Sequence, residues 1–299
     1  MKQLVVLSGK GGTGKTSVTA AFAHLASWDR YPVKAVLADA DVDAANLELV
    51  LAPQNSVTQE FWGGKVAVIN QEVCAGCGTC QSVCRFDAIH ENDFVYRVDP
   101  IACDGCAACV YQCPEEAIRM EEQVAGEWSI SESHYGTLFH AALNPGGENS
   151  GKLVTLVKQN ARLMALDKNF DLVLVDGPPG IGCPVISAAS GADLALIVAE
   201  PTAAGVHDMQ RVLSTTDHFG IKALVCINKA DIHPAGTSEI IDFCQEQGIE
   251  VVGHIPFDLT VTKAMVQGQT VTAFDPKAKA SQALVNVWEK VLDLLTGKS

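Results

Sequence analysis

Short apolar runs alternate with helical patterns over most of this chain. The apolar runs predict buried strands, and they cover residues 4–7, 33–37, 171–176, 194–199, 223–227 and 251–255. Helical patterns lie between or after them, at about 17–26, 46–51, 150–166, 205–219, 237–247 and 281–295. Strands that alternate with helices predict an α/β fold with a parallel sheet covered on both faces.

The pattern is interrupted between about residues 56 and 125, where helical periodicity fades and cysteines appear in two groups. Residues 66–122 hold ten acidic residues against three arginines. After this stretch, residues 128–143 alternate loosely, as an antiparallel pair of strands would. We therefore predict one domain from residues 1–57 and 126–299, interrupted by an inserted module at 58–125.

Composition narrows the range of partners. The net charge of −14 argues against a broad nucleic-acid surface, which needs basic patches. No apolar run reaches membrane-spanning length, so we expect a cytoplasmic protein without membrane or nucleic-acid partners. Eleven cysteines in such a protein point to metal or redox chemistry rather than to disulfides.

A glycine-rich stretch follows the first predicted strand and fits the pattern G-x-x-x-x-G-K-[ST]. Backbone N–H groups of such a loop wrap a polyphosphate, the lysine reaches the β/γ-phosphates, and the hydroxyl holds Mg²⁺. The candidate nucleotide-binding residues are Gly11, Gly12, Thr13, Gly14, Lys15, Thr16 and Ser17. The glycines also spell the dinucleotide pattern G-x-G-x-x-G, but a Lys-Thr pair at the helix start suits a triphosphate and a metal instead.

A second chemical signal lies at Asp176, which ends a predicted buried strand and precedes Gly177-Pro178-Pro179-Gly180. A carboxylate at the end of a strand beside a phosphate loop is suited to hold a Mg²⁺-bound water. We expect the Gly180 N–H in the following turn to contact the γ-phosphate.

The cysteines of the insert repeat one spacing, C-x₂-C-x₂-C-x₃-C. This is the spacing of bacterial two-cluster ferredoxins, in which each fourth cysteine binds the other cluster. It assigns one [4Fe–4S] cluster to Cys74, Cys77, Cys80 and Cys113, and a second to Cys103, Cys106, Cys109 and Cys84. Zinc knuckles are the alternative, but they seldom use three cysteines at this repeated spacing. Arg85 stands where ferredoxins usually have proline, which leaves the potential and exposure of the second cluster open.

The early lysine of the loop, the Asp39-Ala40-Asp41 run and the Asp176 turn together resemble the deviant Walker A class of P-loop ATPases. This class includes MinD, ParA and the nitrogenase iron protein, and it is related to the Mrp carriers. The resemblance implies a doubly wound, mostly parallel sheet and ATP bound in a face-to-face dimer. It further implies that Lys10 reaches the partner's phosphates, that Asp41 orients the attacking water, and that Asp39 supports the Mg²⁺ shell.

The resemblance also implies a base-binding site late in the chain. In this class adenine is held after a late strand, here at Asn228, Lys229 and Asp231, with Pro256 and Phe257 closing the pocket. An Asn-Lys-x-Asp run also marks guanine-binding proteins, so GTP stays open, although ATP is favoured within the class.

With its insert, the chain resembles MinD-type ATPases that carry a ferredoxin-like α+β module. The leading hypothesis is an ATPase that couples nucleotide state to electron transfer through two [4Fe–4S] clusters. The alternatives are an ATPase that carries or matures clusters and metallocofactors, and a spatial-organisation ATPase that uses the module for docking. The expected partners are a second copy or a related ATPase subunit, and a redox or metallocofactor protein.

Overall fold

The computed structural model describes residues 1–28, 30, 33–147 and 149–297. The chain forms two units. Unit 1 comprises Met1–Thr58, Trp128–Ala142 and Gly151–Ser299, and unit 2 comprises Gln59–Glu127 and Leu143–Ser150. The segment Leu143–Ser150, which the sequence assigns to the nucleotide-binding domain, thus belongs with the cysteine-rich unit.

One nine-stranded sheet organises unit 1. Its strands are β1 (Lys2–Ser8), β2 (Ala35–Asp39), β3 (Gln54–Ile69), β6 (Ile118–Ser133), β7 (Gly136–Leu143), β8 (Leu172–Pro179), β9 (Leu194–Ala199), β10 (Ala223–Asn228) and β11 (Glu250–Ile255). The spatial order is β11-β10-β9-β1-β8-β2-β7-β6-β3. All pairings from β11 through β7 are parallel, which confirms the α/β prediction.

Helices connect these strands. In unit 1 they are α1 (Lys15–Ala26), α2 (Leu47–Leu51), α5 (Ser150–Asp167), α6 (Cys183–Ala189), α7 (Ala203–His218), α8 (Pro234–Glu246), α9 (Leu259–Val266), α10 (Val271–Phe274) and α11 (Lys279–Thr296). The last helix packs on the core, where Trp288 is fully buried 4.9 Å from Phe22 between ring centroids. None of the helices in the described ranges is long and apolar enough to span a bilayer.

The strand order brings the carboxyl ends of β1, β2 and β8 together at one edge of the sheet. β1 lies between β9 and β8, whereas the chain itself leaves β1 for β2, which lies beyond β8. In parallel sheets, the crevice at such a change of direction, at the carboxyl ends of the strands, is where ligands bind. The ladder also pairs Asp39 at the end of β2 with Asp176 on β8.

The strand β3 is the largest difference from the sequence prediction. Its first seven residues, 54–60, are all exposed, so they lack the apolar alternation by which a strand is detected. β6 begins ten residues before the predicted strand pair at 128–143, and both β3 and β6 continue from one unit into the other.

Unit 2 contains short elements around the two cysteine groups. They are α3 (Thr79–Ser82), the hairpin of β4 (Ile89–Asn92) and β5 (Val95–Val98), and α4 (Ala108–Gln112). Its small apolar core combines six cysteines with aliphatic residues and one tyrosine. The members are Ala67, Ile69, Cys80, Ile89, Tyr96, Cys109 and Ile118, with Cys74, Val83, Cys84, Val98, Cys103, Val110, Cys113 and Met120 packed against them.

Candidate functional site

The loop between β1 and α1 has a backbone that glycine makes possible. Gly12 and Gly14 have φ angles of 78° and 97°, in the region that disfavours other residues. A Cβ on Gly14 would also lie 2.3 Å from Asn228 Nδ2, whose amide donates to Thr13 O over 2.7 Å. None of the N–H groups of residues 11–14 donates to an acceptor within the described chain, so they remain available to an anion.

A cavity of about 780 Å³ opens beside this loop, within the usual range for small-molecule sites. The structure brings eleven of the predicted residues to its wall: Gly11, Gly12, Gly14, Lys15, Thr16, Ser17, Asp41, Asn228, Lys229, Pro256 and Phe257. Leu49, Val261 and Met265 add an apolar side. The cavity therefore combines a polar loop with a surface that suits a flat base.

Asp176 is held at the loop by two threonines. It is 1% exposed, and it accepts hydrogen bonds from Thr16 Oγ1 on Oδ2 over 2.7 Å and from Thr19 Oγ1 on Oδ1 over 2.8 Å. Burial raises the pKa of Asp176 above its usual value, while the Lys15 charge and both hydroxyls lower it. The predicted pair of Mg²⁺-binding groups, Thr16 and Asp176, is thus in direct contact.

The other predicted acidic run, Asp39-Ala40-Asp41, lies next to Asp176, because Asp39 pairs with Asp176 in the sheet. Asp39 is fully buried, and its carboxylate accepts the N–H groups of Asp41 over 3.1 Å and Leu47 over 3.0 Å. Burial and the nearby Asp176 charge raise the pKa of Asp39 well above its usual range. Burial also raises the pKa of Asp41, to about 6, against the charge of Lys15. A cluster of acids that is costly to ionise without a cation suits a Mg²⁺ site.

Glu200, at the end of β9, pairs with two lysines of the predicted site. Lys10 Nζ and Lys229 Nζ each lie 2.8 Å from its carboxylate oxygens, and Lys229 also donates to Gly12 O over 3.3 Å. Burial acts to raise the pKa of Glu200, but these two lysines hold the pKa below its usual value. Lys10, which the resemblance assigns to the partner's phosphates, is therefore paired within its own chain in this structure.

Six predicted residues lie away from the cavity wall: Lys10, Asp39 and Asp176, described above, and Thr13, Gly180 and Asp231. The Gly180 N–H donates to Ser8 O over 2.9 Å rather than facing the loop, so its expected γ-phosphate contact is not present in this conformation. Asp231 accepts the Phe257 N–H over 2.6 Å, which makes it a support for the base pocket. Thr13 is 2% exposed, and within the described chain its Oγ1 has no hydrogen-bond partner.

The two cysteine groups of unit 2 repeat the same local structure. Gly76 and Gly105 occupy equivalent positions with φ angles of 67° and 71°. The fourth cysteine of each group accepts a backbone N–H at 3.3 Å, from Ala88 to Cys84 Sγ and from Ala117 to Cys113 Sγ.

Cys77 and Cys106 are exposed, whereas the other six cysteines of the two groups are buried or partly buried. No group of three or more His, Cys, Asp or Glu side chains among the described residues is arranged to hold a metal ion. The remaining three cysteines are separate: Cys183 is exposed, and Cys226 and Cys244 are buried.

Thr19 and Glu200 are site residues that the sequence did not reveal. Thr19 lies one helical turn after Lys15, on the same face of α1. This spacing could have identified Thr19 as a residue that faces the site. Glu200 follows an apolar strand with no motif around it, and its role depends on β9 lying next to β1.

Comparisons with known proteins agree with this geometry. A model of the CobQ/CobB/MinD/ParA nucleotide binding domain matches residues 4–271. An uncharacterized protein of Methanocaldococcus jannaschii is 32% identical over 294 residues, or 98% of this chain and 97% of that protein. A cytosolic Fe-S cluster assembly factor of Gallus gallus is 24% identical over 97% of this chain and 91% of its own length.

Among solved structures, the septum site-determining protein MinD of Pyrococcus horikoshii, complexed with Mg-ADP, matches with a TM-score of 0.62 at 19% identity. The match covers 100% of this chain and 98% of that one. At this identity the likeness shows the fold.

Proposed function

The chain belongs to the CobQ/CobB/MinD/ParA nucleotide-binding family, and from this premise we propose that it is an ATPase that couples nucleotide state to electron transfer through two [4Fe–4S] clusters. The nucleotide part rests on the loop, the cavity and the Thr16–Asp176 contact. The redox part rests on one observation, the repeated cysteine geometry of unit 2.

Each residue of the nucleotide site has a distinct task in this proposal. The free N–H groups of residues 11–14 and Lys15 bind and orient the phosphates, which is most of what phosphoryl transfer requires of a protein. Thr16 and Asp176 hold Mg²⁺, with Asp39 in support. Asp41, whose burial raises its pKa to about 6, orients the attacking water. Asn228, Lys229, Pro256 and Phe257 surround the base.

The residues of unit 2 fit an iron–sulfur cluster by their chemistry. Eight thiols occur in one small unit, two of them in its apolar core and four packed against that core, and soft thiolates are the ligands that an iron–sulfur cluster takes. A four-iron cluster spreads its ligands over the corners of a cube, so its cysteines stay farther apart than the ligands of one ion. The N–H groups that already point at Cys84 Sγ and Cys113 Sγ would stabilise negative charge on sulfur.

When bound, each cluster supplies one-electron chemistry. The protein's own contribution is to set the environment of the sulfurs: hydrogen bonds at Cys84 and Cys113, burial at Cys80 and Cys109, and exposure at Cys77 and Cys106. We assign Cys74, Cys77, Cys80 and Cys113 to one cluster and Cys103, Cys106, Cys109 and Cys84 to the other. The exposed cysteines mark the side from which a redox partner would approach.

A second candidate function is supported by a relative. The similarity to a cytosolic Fe-S cluster assembly factor over 97% of this chain favours an ATPase that delivers clusters or metallocofactors to other proteins. Eight cysteines that complete two sites argue for resident clusters instead. The similarity to a septum site-determining protein of Bacillus subtilis, which is 25% identical over 97% of this chain, supports the third option, spatial organisation with unit 2 as a docking module.

The proposed assembly is a homodimer, or a heterodimer with a related ATPase subunit. In this proposal Lys10 leaves Glu200, its partner within the chain, and serves the facing active site, as the resemblance to the deviant Walker A class implies. The further partner is a redox or metallocofactor protein.

The cluster assignment is tested by iron content. The anaerobically prepared wild type is expected to hold about eight irons per chain, as two four-iron clusters require. Cys77→Ser should lose up to half of the iron, whereas Cys183→Ser, which changes another exposed cysteine outside both groups, should lose none. Equal iron in all three proteins, or about one zinc per cysteine group, would refute the assignment.

The coupling is tested by anaerobic EPR of the dithionite-reduced protein with an apo-ferredoxin acceptor. We expect Mg·ATP to change the cluster spectrum or the reoxidation rate in the wild type, and Lys15→Ala to keep its clusters but lose this response. Migration of iron to the acceptor on addition of ATP would favour the assembly function. ATP turnover with no effect on the clusters would favour the docking role.

A further inference from the structure

A chain of hydrogen-bonded side chains connects α2 to the strands β7, β6 and β3. Glu48 Oε2 lies 2.9 Å from His140 Nδ1, His140 Nε2 lies 2.8 Å from Ser131 Oγ, and Ser131 Oγ lies 2.7 Å from Ser56 Oγ. The inner members are buried, with Ser131 at 0% and His140 at 8% exposure. We call these four residues the Glu48–Ser56 relay.

The order Glu, His, Ser is also that of a hydrolase triad, but burial excludes this use. Ser131 is fully buried and its hydroxyl is engaged by both neighbours, so no substrate carbonyl can reach it. With a neutral His140 that carries its proton on Nδ1, facing the Glu48 carboxylate, the relay has one direction: Ser56 donates to Ser131, Ser131 to Nε2, and Nδ1–H to the carboxylate. Such a buried, satisfied network fixes the positions of the elements that contribute to it.

The outer end of the relay lies at the nucleotide site. Glu48 is the second residue of α2, and the N–H of its neighbour Leu47 donates to the buried carboxylate of Asp39. Leu49 and Val50 of the same helix line the cavity. Successive residues of one five-residue helix thus contact an acid of the proposed Mg²⁺ site and the relay.

The other end of the relay lies on the two strands that continue into the cysteine-rich unit. Ser56 is on β3 and Ser131 is on β6, and both strands pass from unit 1 into unit 2. A second contact, Thr58 Oγ1 to Ser129 Oγ at 2.8 Å, joins the same strands but has no connection to α2. It provides an internal control.

We propose that His140 is a positioning residue that transmits the position of α2, and hence the state of the nucleotide site, to β3 and β6. The proposal rests on the proposed nucleotide function but does not require the clusters. α2 is suited to move as a body, since it is a short helix of five residues and the next residue, Ala52, leaves it with a φ of 40°. A shift of Asp39 or Leu47 on binding must either carry Glu48 along or break its pair with His140.

The experiment compares backbone hydrogen exchange with and without Mg·ADP in residues 54–58 and 128–133. In the wild type we expect Mg·ADP to change exchange there by about fivefold or more, a typical size for coupled sites. Glu48→Gln, which alters a partly exposed side chain, and Ser131→Ala should each remove most of this change. Their dissociation constants for Mg·ADP should stay within about threefold of the wild type. Ser129→Ala should respond like the wild type.

Each outcome of this experiment either supports the relay or overturns it. A response in Ser131→Ala equal to that in Ser129→Ala overturns the relay, and so does a wild type that binds Mg·ADP without any change in these strands. Failure of the wild type to bind Mg·ADP overturns the nucleotide function together with the relay, and the measured dissociation constant separates this case from the other two.

Discussion

Thr19 provides a quantitative test of how the buried carboxylate of the nucleotide site is stabilised. Its hydroxyl lies 2.8 Å from Asp176 Oδ1 and 3.1 Å from Lys15 O, and the single proton favours the carboxylate, which is the stronger acceptor. Thr19→Val keeps the shape of the side chain and removes the hydroxyl. The buried Asp176 carboxylate then keeps Thr16 as a donor and loses the partner of Oδ1.

The magnitude follows from the burial and charge of the acceptor. A hydrogen bond to a charged group contributes about 1.5–3 kcal/mol, and the loss falls on a group that water cannot reach. For a protein of this size we expect the melting temperature to fall by about 2–5 °C. The measurement is thermal and urea unfolding of the nucleotide-free protein, followed by circular dichroism.

Two further variants isolate the carboxylate contact. Thr19→Ser retains the hydroxyl and should recover most of the loss. Thr215→Val changes a partly exposed helical threonine whose hydroxyl bonds only the carbonyl four residues earlier, Arg211 O, over 3.0 Å. If Thr19→Val and Thr215→Val lose the same stability, Asp176 gains nothing from Thr19 and the reasoning is wrong.

Three other predictions concern charge, backbone strain and pH. Glu200→Gln removes one negative charge beside the phosphate loop and leaves Lys10 and Lys229 without their carboxylate. It should tighten Mg·ADP binding about 3- to 10-fold at low salt and less at high salt. Asp193→Asn, which removes the same charge at the opposite end of β9, should leave the affinity for Mg·ADP unchanged. Equal affinities in the two variants would show that Glu200 does not compete with the phosphates for the two lysines. Gly78→Ala places a Cβ 2.9 Å from Tyr96 Oη at a φ of 75°; it should cost about 1–3 kcal/mol by urea unfolding, with a smaller loss when combined with Tyr96→Phe. Burial lowers the pKa of His24 below 6.5, so the unfolded chain binds the proton first as the pH falls and stability must decrease below about pH 6.5. A urea series at different pH values should show this decrease in the wild type and a shallower one in His24→Gln.

Several features of this protein were determined by local sequence. The phosphate loop, the strand that precedes it and the helix that follows form one contiguous segment, and its glycines carry the backbone conformation. The cysteine spacing is equally local, since three ligands of each proposed cluster lie within one short loop. The alternation of apolar runs and helical patterns predicted the α/β class because burial on both faces of a parallel strand requires a continuous apolar run.

Strands without this signal were not predictable. β3 begins with seven exposed residues, so pairing with β6 rather than its own pattern makes it a strand. The conformation of the turn after β8 was not predictable either. Whether the Gly180 N–H faces a phosphate or Ser8 O depends on how β8 packs against β1.

The contacts that complete the site join residues far apart in the chain. Thr19 meets Asp176 because β1 and β8 are neighbours, and Glu200 meets Lys10 because β9 lies on the other side of β1. His140 reaches Glu48 because β7 pairs with β2. Strand order arises from the packing of the whole sheet rather than from any one segment. The sequence therefore identified the groups that carry the chemistry, while the fold selected the residues that hold them in position.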